Sequence, residues 1–366
     1  MRIIAHRVAT AGPGDVSGLA ALLDAGELRA DEILAVIGKT EGNGGVNDFT
    51  RELATRALGD LLAPRLECAP EAIEERIVLS FSGGTEGVAS PHLLILSRRG
   101  AALAAPRTSK RLAIATGHTR ALEPSEIGYR PMMEETARVV RELMRELAVD
   151  DPSDVHLVQI KGAIPGYDET QRVAAEAEGR PLRCDMVGSR AASALGVGIA
   201  LGEIDDAAAG DDAVCRDWSL FSTRASVSAK PGLPRSEITL FANSAWWDGD
   251  LVIEHGVMRD IIDLDAIRDV LARLGLTAPG QLAPEQTARL VGIFAKSDAD
   301  PRHRIRGRRH TMWTDADISD MRYSRCVVSA LLAGVTGETA VYVSTRAEHH
   351  GPLGGGPVAM IARVDA

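Results

Sequence analysis

The sequence predicts a mixed α/β (α+β) protein built from three similar units, and two observations support that prediction. The chain has 366 residues, which is more than one hydrophobic core comfortably holds. Three short apolar runs that each end in lysine recur along it, namely Ile33–Lys39, Val155–Lys161 and Leu290–Lys296. Each run is typical of a buried strand, with the lysine where the strand leaves the core. Three copies in one chain indicate homologous units around a pseudo-threefold axis with a shared central site.

Each unit is predicted to follow the same element order, with helices covering a sheet. An opening strand leads through an amphipathic helix to the strand that ends in lysine. A helix carrying arginine and a strand followed by serine complete the unit. The opening strands begin near Ile3, Leu112 and Leu251. The predicted units are residues 1–103, 110–246 and 250–366.

An arginine near the start of a helix is the second repeated feature. Ser189-Arg190 and Ser324-Arg325 open segments rich in Ala, Leu and Val, as expected for buried helices. The arginine follows the strand-end lysine by 29 residues in both units (161 to 190, and 296 to 325). In the first unit Thr50-Arg51 takes this place only 12 residues after Lys39, which predicts a shortened connection.

A serine in a loop of small residues is the third repeated feature. Ser82 follows a predicted strand in the first unit, and Ser344 does so in the third. In the second unit Ser222, Ser226 and Ser228 lie close together and compete for the position.

Composition excludes several classes of protein. Aromatic residues make up 4% of the chain, too few for a base-stacking surface, and the formal net charge of −10 argues against a phosphate-backbone partner. No apolar run reaches the roughly 18 residues of a membrane helix. The N-terminal segment lacks the features of a signal peptide. The cysteines are far apart and form no CxxC pair, which indicates a reduced, cytoplasmic chain; they are Cys68, Cys184, Cys215 and Cys326.

The repeated residue types predict nucleophilic chemistry. Serine needs a base to remove its proton, and the sequence has no Gly-x-Ser-x-Gly motif. Lysine serves as that base when burial and nearby cations lower its pKa. Each residue alone has an ordinary interpretation, since a strand-end lysine is usually a surface charge and a serine often caps a helix. The recurrence of all three types in three units favours a functional set.

Several longer stretches resemble the cyclic amide hydrolases, the family of cyanuric acid hydrolase and barbiturase. The resemblance spans nearly the whole chain and is clearest in Lys39–Arg51, Ser82–Val88, Arg308–Met312, Asp315–Ser319 and Gly351–Pro357. It implies three repeat units that each give a Ser-Lys pair to a central site. It also implies ring-opening hydrolysis of a cyclic amide without a cofactor for catalysis.

The resemblance also implies roles for individual residues. Lys161 and Ser226 would be the base and the nucleophile, with Ser222 and Ser228 as alternatives to Ser226. Lys39 and Lys296 would belong to the other two dyads. The implied substrate-binding residues are Arg51, Ser82, Gly83, Arg190, Ser226, Val227, Arg325, Ser344 and Thr345.

A structural cation site is implied near the C-terminal glycine loop. Backbone carbonyls would supply most of the ligands to a hard ion such as Mg²⁺ or Ca²⁺. The matching positions are Asp298, Ala347, His350, Gly351, Pro352 and Gly355. The alternative is a glycine-rich loop that binds no metal.

The predicted reaction converts cyanuric acid to carboxybiuret, which then yields biuret and CO₂. Barbituric acid, opened to ureidomalonate, is the alternative substrate. A different cyclic amide is a third, because Thr345-Arg346, Arg224 and Lys161-Gly162-Ala163 depart from the usual family pattern. A non-catalytic binder of cyclic ureides and a purely structural repeat protein are the alternatives from other classes. The resemblance further implies a homotetramer.

Overall fold

Three four-stranded sheets with the same strand order form the architecture of the chain. The computed structural model describes residues 1–85, 87–312 and 318–364. The predicted fold class is confirmed, because the same arrangement of strands and helices occurs three times within these residues.

The elements of the first unit begin with β1 and end with β4. Its strands are β1 (Arg2–Ala9), β2 (Ile33–Thr40), β3 (Val78–Gly83) and β4 (His92–Arg99). Its helices are α1 (Ser17–Asp24), α2 (Phe49–Leu66) and α3 (Ile73–Arg76).

The second and third units repeat this order. The second contains β5 (Arg111–His118), α4 (Arg130–Glu146), β6 (Val155–Ile164), α5 (Glu169–Ala177), α6 (Met186–Ala200), β7 (Ala225–Pro231) and β8 (Glu237–Ser244). The third contains β9 (Leu251–Met258), α7 (Leu264–Arg273), α8 (Pro284–Thr287), β10 (Leu290–Ser297), α9 (Asp320–Thr336), β13 (Tyr342–Thr345) and β14 (Gly356–Arg363). The third unit also has a short hairpin, β11 (Arg304–Ile305) and β12 (Arg308–Arg309).

In every sheet the strand that carries the lysine lies between two others. It pairs in parallel with the strand that carries the serine and antiparallel with the last strand of the unit. The sheet orders are β1-β4-β2-β3, β5-β8-β6-β7 and β9-β14-β10-β13. Each sheet lies within one predicted unit, and the exact unit boundaries stay a prediction.

The last strand of each unit was missing from the predicted element order. β4, β8 and β14 each lie second in their sheet, and both of their edges are paired. Residues of β4 from His92 to Ser97 are buried on both faces, and β8 is buried throughout. A strand buried on both faces shows a continuous apolar run instead of alternation, so its period gives no sign of strand structure.

Side-chain caps fix where the arginine helices begin. Asp48 accepts a hydrogen bond from the Thr50 amide at the start of α2, and Asp185 accepts one from the Gly188 amide at the start of α6. Ser319 accepts one from the Arg322 amide at the start of α9. Such caps satisfy amides that have no partner within the helix. As a result, the three arginines all lie in the first two turns of their helices.

Close packing holds α6 against α4. Twelve of the fifteen α6 residues are buried, and a Cβ atom added at Gly196 would lie 2.5 Å from the Met133 carbonyl oxygen. Only glycine permits this approach, which seats Arg190 of α6 beside the sheet.

Two further expectations concern the chain as a whole. Among the described residues, none of the helices has the length and apolar character needed to cross a membrane. The four cysteines, all of them described, are free thiols.

Candidate active site

The register of the parallel strands places one lysine beside one serine in every unit. Lys39 pairs with Ser82, Lys161 with Ser228, and Lys296 with Ser344. The three pairs lie at the same end of their sheets. This end of the molecule is therefore the candidate active site.

The predicted position of Ser226 beside Lys161 is wrong. Ser226 pairs with Gln159, one side-chain pair deeper in the sheet, at the level of Ser80 and Tyr342 in the other units. Both serines lie on one face of the strand, since alternate residues point the same way, so only the register separates them. The repeated pattern Ser80-Phe81-Ser82 and Ser226-Val227-Ser228 contained the signal that identifies Ser228.

Other residues near Ser228 in the second unit make hydrogen bonds to Glu203 and His350. The amide of Val227, a predicted substrate-binding residue, donates to His350 Nε2 at 3.0 Å. Ser222 lies before β7, and its hydroxyl donates to Glu203 at 2.6 Å. Arg224 donates to the same Glu203 carboxylate at 2.8 Å, which turns this arginine away from the site.

Hydrogen bonds between units close the three sheets into a ring. Lys161 Nζ donates to the Phe81 carbonyl of the first unit at 2.5 Å, and Lys296 Nζ donates to the Val227 carbonyl of the second at 2.5 Å. Ser82 Oγ donates to the Val343 carbonyl of the third unit at 3.1 Å. Each accepting residue immediately precedes the serine of its own unit. The three Ser-Lys pairs therefore surround one pseudo-threefold axis.

The three lysines are buried but differ in their surroundings. Lys296 Nζ contacts Ser344 Oγ at 3.2 Å and the Thr345 carbonyl at 2.8 Å, in addition to Val227. Lys39 Nζ donates to the Gly84 carbonyl at 3.3 Å. Among the described residues, Lys161 Nζ has a single hydrogen-bond acceptor, the Phe81 carbonyl.

A cavity of about 260 Å³ lies where the three units meet. Its wall includes one arginine and one serine from every unit, namely Arg51, Arg190, Arg325, Ser82, Ser228 and Ser344. Gly83 and Thr345, which were also predicted to bind substrate, line the same cavity. The structure thus brings together most of the predicted binding residues, and Ser226 and Val227 are not part of this wall.

Fixed partners orient the arginines of the cavity. Arg190 makes a two-pronged ion pair with Glu348 at 2.7 and 2.8 Å, and both groups are buried. Arg325 Nη1 donates to the Gly83 carbonyl at 2.9 Å. Arg51 donates to the Gly45 carbonyl and lies 3.7 Å from Asp48. Held in this way, the guanidinium groups present preset donors to a planar ligand.

Arg346 is a further residue of the cavity. In the sequence it is marked only as a departure from the family pattern. It lines the cavity and makes a two-pronged ion pair with Asp320 at 2.7 and 2.8 Å. Its φ of 63° lies in the left-handed region, which is costly for a residue with a Cβ atom. The Arg346 side chain forms part of the cavity wall that the third unit provides.

Burial changes the basicity of two lysines. The pKa of Lys161 falls to about 7, first because burial penalises the ammonium form and then because Arg51 is nearby. Burial, followed by the nearby Arg190, lowers the pKa of Lys296 well below its usual range. Desolvation is thus the main cause, and the arginines add to it.

A second cavity of about 190 Å³ is lined by Lys161 and shares Phe81 with the first. Arg51, Lys230 and the exposed side chain of Phe49 also line it. Lys161 thus borders the smaller cavity and Ser228 the larger one.

The predicted cation ligands lie near one another, but they do not all suit a metal. Asp298 Oδ1 is buried without a hydrogen-bond partner among the described residues, as an unused ligand would be. The His350 ring, in contrast, uses both nitrogens, one toward Val227 and one toward the Glu348 carbonyl. The carbonyls of Ala347, Pro352 and Gly355 each accept one backbone hydrogen bond and keep a second lone pair. In the described part of the chain, no cluster of three or more His, Cys, Asp or Glu side chains is placed to hold a metal.

Two stretches that support the family resemblance are only partly described. Glu86, in the segment that follows Ser82, lies outside the described residues. So do Asp315 and Asp317, in the segment that precedes α9.

Comparisons with known proteins point to one family. A family described as "Amidohydrolase ring-opening protein" matches residues 4–363. The chain is 47% identical over 365 residues to a cyanuric acid amidohydrolase of Bradyrhizobium diazoefficiens, covering 98% of this chain and 97% of that protein. It is 41% identical to a cyclic amide hydrolase of Azorhizobium caulinodans, covering 99% and 100%. A solved cyanuric acid hydrolase, described as an innovation by structural concatenation, superposes with a TM-score of 0.90 at 40% identity over 99% of both chains.

Proposed function

Because the chain belongs to the family of ring-opening amidohydrolases, we propose that it opens cyanuric acid by hydrolysis of a ring C–N bond. The observation that carries the proposal is the repeated register, which puts a lysine beside each of the three serines that line one cavity. Cyanuric acid has three ring carbonyls, and the cavity offers three matching sets of arginine and serine.

The proposed nucleophile is Ser228, and its base is Lys161. Lys161 Nζ takes the hydroxyl proton as Ser228 Oγ bonds to a ring carbonyl carbon. The tetrahedral intermediate then breaks its C–N bond, and the departing nitrogen takes the proton back from Lys161. Water hydrolyses the resulting acyl-serine, which restores Ser228 and releases carboxybiuret. Loss of CO₂ from that product gives biuret.

The environment of Lys161 suits this role. A base works best when its pKa lies near the working pH, and the pKa of Lys161 is lowered to about 7. In its neutral form the amine has a lone pair for the serine proton while one of its N–H groups donates to the Phe81 carbonyl. The arginines around the cavity stabilise negative charge on the ring oxygens as the intermediate forms.

Barbituric acid and other cyclic amides are the alternative substrates. Thr345 and Arg346 fill the third-unit side of the cavity, where the first unit has Gly83 and Gly84. This asymmetry favours a ring with one distinct edge over a fully symmetric one. The likeness to a cyclic amide hydrolase supports the same alternative.

A structural cation fits part of the proposed set. Asp298 Oδ1 and the carbonyls of Ala347, Pro352 and Gly355 would hold a hard ion such as Mg²⁺ or Ca²⁺. Such an ion would brace the loop that carries Glu348, the partner of Arg190. The His350 ring is not among the proposed ligands. A homotetrameric assembly and a cytoplasmic location stay predictions.

Product analysis by mass spectrometry tests the proposal. Wild type, Ser228→Ala and Ser226→Ala are each incubated with cyanuric acid and, separately, with barbituric acid. We expect ring opening of cyanuric acid by wild type and by Ser226→Ala, and none by Ser228→Ala. Turnover of barbituric acid alone would identify that ring as the substrate. Full activity of Ser228→Ala would contradict the assignment of Ser228 as the nucleophile. Saturable binding without turnover of either ring would favour a non-catalytic binder.

A further inference from the structure

A position on the far side of each lysine strand differs among the three units. The antiparallel partner of Lys39 is His92, and the partner of Lys161 is Glu237. In the third unit the ladder ends with Ala295 opposite Val358, so the next position along, opposite Lys296, belongs to Pro357. The second unit is thus the one with an acid directly beside its lysine.

Glu237 lies close enough to act on Lys161. Residues directly opposite each other in an antiparallel pair have Cβ atoms about 4.5–5.5 Å apart and share a face of the sheet. Glu237 is 2% exposed and Lys161 4% exposed, so water screens their interaction little. Oε2 of Glu237 is buried without a hydrogen-bond partner among the described residues.

Other charged groups face Glu237 from every element around it. Lys230 lies on β7, Arg235 precedes β8, and Glu74 lies on α3. His118 pairs with Glu237 on β5. Lys230 is held by Glu74 at 2.5 Å, and Arg235 is paired with Glu75, so these two cations have carboxylates of their own. Among the described residues Lys161 has no ion-pair partner, and Glu237, followed by Asp48, is the acid that raises its pKa.

We propose that Glu237 is a positioning residue that makes the second dyad the reactive one by stabilising the ammonium form of Lys161. The inference rests on the proposed function. When Lys161 takes the Ser228 proton, a charge appears in a buried site, and an unpaired buried charge is costly. Burial raises the pKa of Glu237 to about 7, so the group is ionised mainly above that pH, where its negative charge offsets the cost. The proton moves from Ser228 Oγ to Lys161 Nζ and later to the leaving nitrogen, so Glu237 itself ends each cycle unchanged.

The opposing groups explain why such an acid is needed here. Burial, Arg51 and Lys230 all lower the pKa of Lys161, whereas Glu237 raises it. Without Glu237, Lys161 would accept the serine proton less readily. Lys39 has a histidine in this position and Lys296 a proline. Lys296 has two acids elsewhere around it, Glu348 and Asp298, and Glu348 is bound by Arg190.

The pH profile of kcat/KM for Glu237→Gln tests the proposal. Loss of the carboxylate lowers the proton affinity of Lys161, so the ascending limb is expected to move to lower pH by about one unit. We expect kcat on the plateau to fall about tenfold with KM unchanged, because a weaker base transfers the proton less well. Glu75→Gln, which removes an exposed carboxylate of the same region, is the matched control and should keep the wild-type profile. An unmoved limb in Glu237→Gln would overturn the proposal, since a merely structural role would not shift it.

A second measurement decides the inference even if the ring is not the substrate. The chain has five lysines, so isotope labelling of lysine gives a simple NMR spectrum in which Lys161→Met identifies the Lys161 signal. In Glu237→Gln the Lys161 titration midpoint should fall, and in Glu237→Asp, which keeps the charge, it should stay close to that of wild type. An unchanged midpoint in Glu237→Gln would refute the proposal. Absence of turnover by wild type at every pH would refute the proposed function alone.

Discussion

The second and third units place their lysines in the same register but in different surroundings. Lys296 is enclosed, with Val227, Ser344 and Thr345 as contacts of its amine. Lys161 contacts one carbonyl and borders a cavity. The repeated backbone sets the position of each lysine, whereas the neighbouring residues set the hydrogen bonds and basicity of its amine. An enclosed amine braces the interface between units, and a less enclosed one remains available for proton transfer.

Replacement of the two lysines should separate these roles most strongly. Lys161→Met is expected to lower kcat about 10³-fold or more, because the proposed general base is lost while the arginines remain. Lys296→Met is expected to unfold at a lower denaturant concentration, since it leaves the buried Val227 and Thr345 carbonyls without their donor, at about 1–3 kcal/mol each.

Steady-state kinetics and urea denaturation of both variants provide the check. If Lys296→Met lost as much activity as Lys161→Met at equal stability, the third dyad would be the reactive one. The 3.2 Å contact between Lys296 and Ser344 makes that outcome worth testing.

The buried ion pair between Arg190 and Glu348 joins the two units and should show the next largest effect. Arg190→Met leaves Glu348 as a buried, unpaired carboxylate, which we expect to lower the free energy of unfolding by about 3–5 kcal/mol. The double variant Arg190→Met/Glu348→Met should recover most of that loss. Chemical denaturation measures both, and a double variant no more stable than the single one would contradict this account.

The opposite end of β6 offers a pH-dependent contact between the same two units. His156 and His255 lie with their Nδ1 atoms 3.0 Å apart, and burial lowers both pKa values to about 3. The unfolded chain therefore binds more protons between about pH 3 and 6.5, so this stability is complete above about pH 6.5 and is lost as the pH falls.

A change of one histidine should reduce that acid sensitivity. We expect each histidine to contribute about 1.4 kcal/mol of destabilisation per pH unit within that window. His255→Gln should thus unfold less steeply with pH between 6.5 and 5 than wild type does, as measured by urea denaturation at several pH values. Identical slopes for both proteins would exclude a role for the pair.

Arg346 should give the smallest change in stability. Its ion pair with Asp320 is partly exposed and contributes about 0–1 kcal/mol. Arg346→Gly loses that pair but relieves the left-handed backbone, so we expect a change of less than about 1 kcal/mol in the free energy of unfolding. The same variant should raise kcat/KM for N-alkylated rings relative to the parent ring. Arg346→Ala, which widens the cavity without relief of strain, is the matched control.

Much of the fold followed from repetition in the sequence. The three lysine strands, the arginine helices and the opening strand-helix pairs could be predicted because each is marked by the same residue types in the same order. The register of the second serine strand is less clearly marked, because only the Ser-x-Ser pattern shared with the first unit distinguishes Ser228 from Ser226. A two-residue slip keeps the side chain on the same face, so the apolar pattern does not penalise it.

Contacts between units were the other limit of prediction. The ion pair of Arg190 with Glu348 joins residues 158 positions apart, and the pairing of Glu237 opposite Lys161 depends on a strand that the sequence did not indicate. Neither contact leaves a local pattern in the sequence. The partners of buried charges therefore had to come from the structure.

Because the three sheets belong to one continuous chain, equivalent positions around the axis can be substituted independently during evolution. In a trimer of identical subunits, every substitution at the axis appears three times, so the surroundings of one Ser-Lys pair cannot be changed alone. A single chain is free of that constraint. Histidine, glutamate and proline occupy the same position beside Lys39, Lys161 and Lys296. Each Ser-Lys pair can thus acquire a separate role while the shared backbone keeps all three pairs in place.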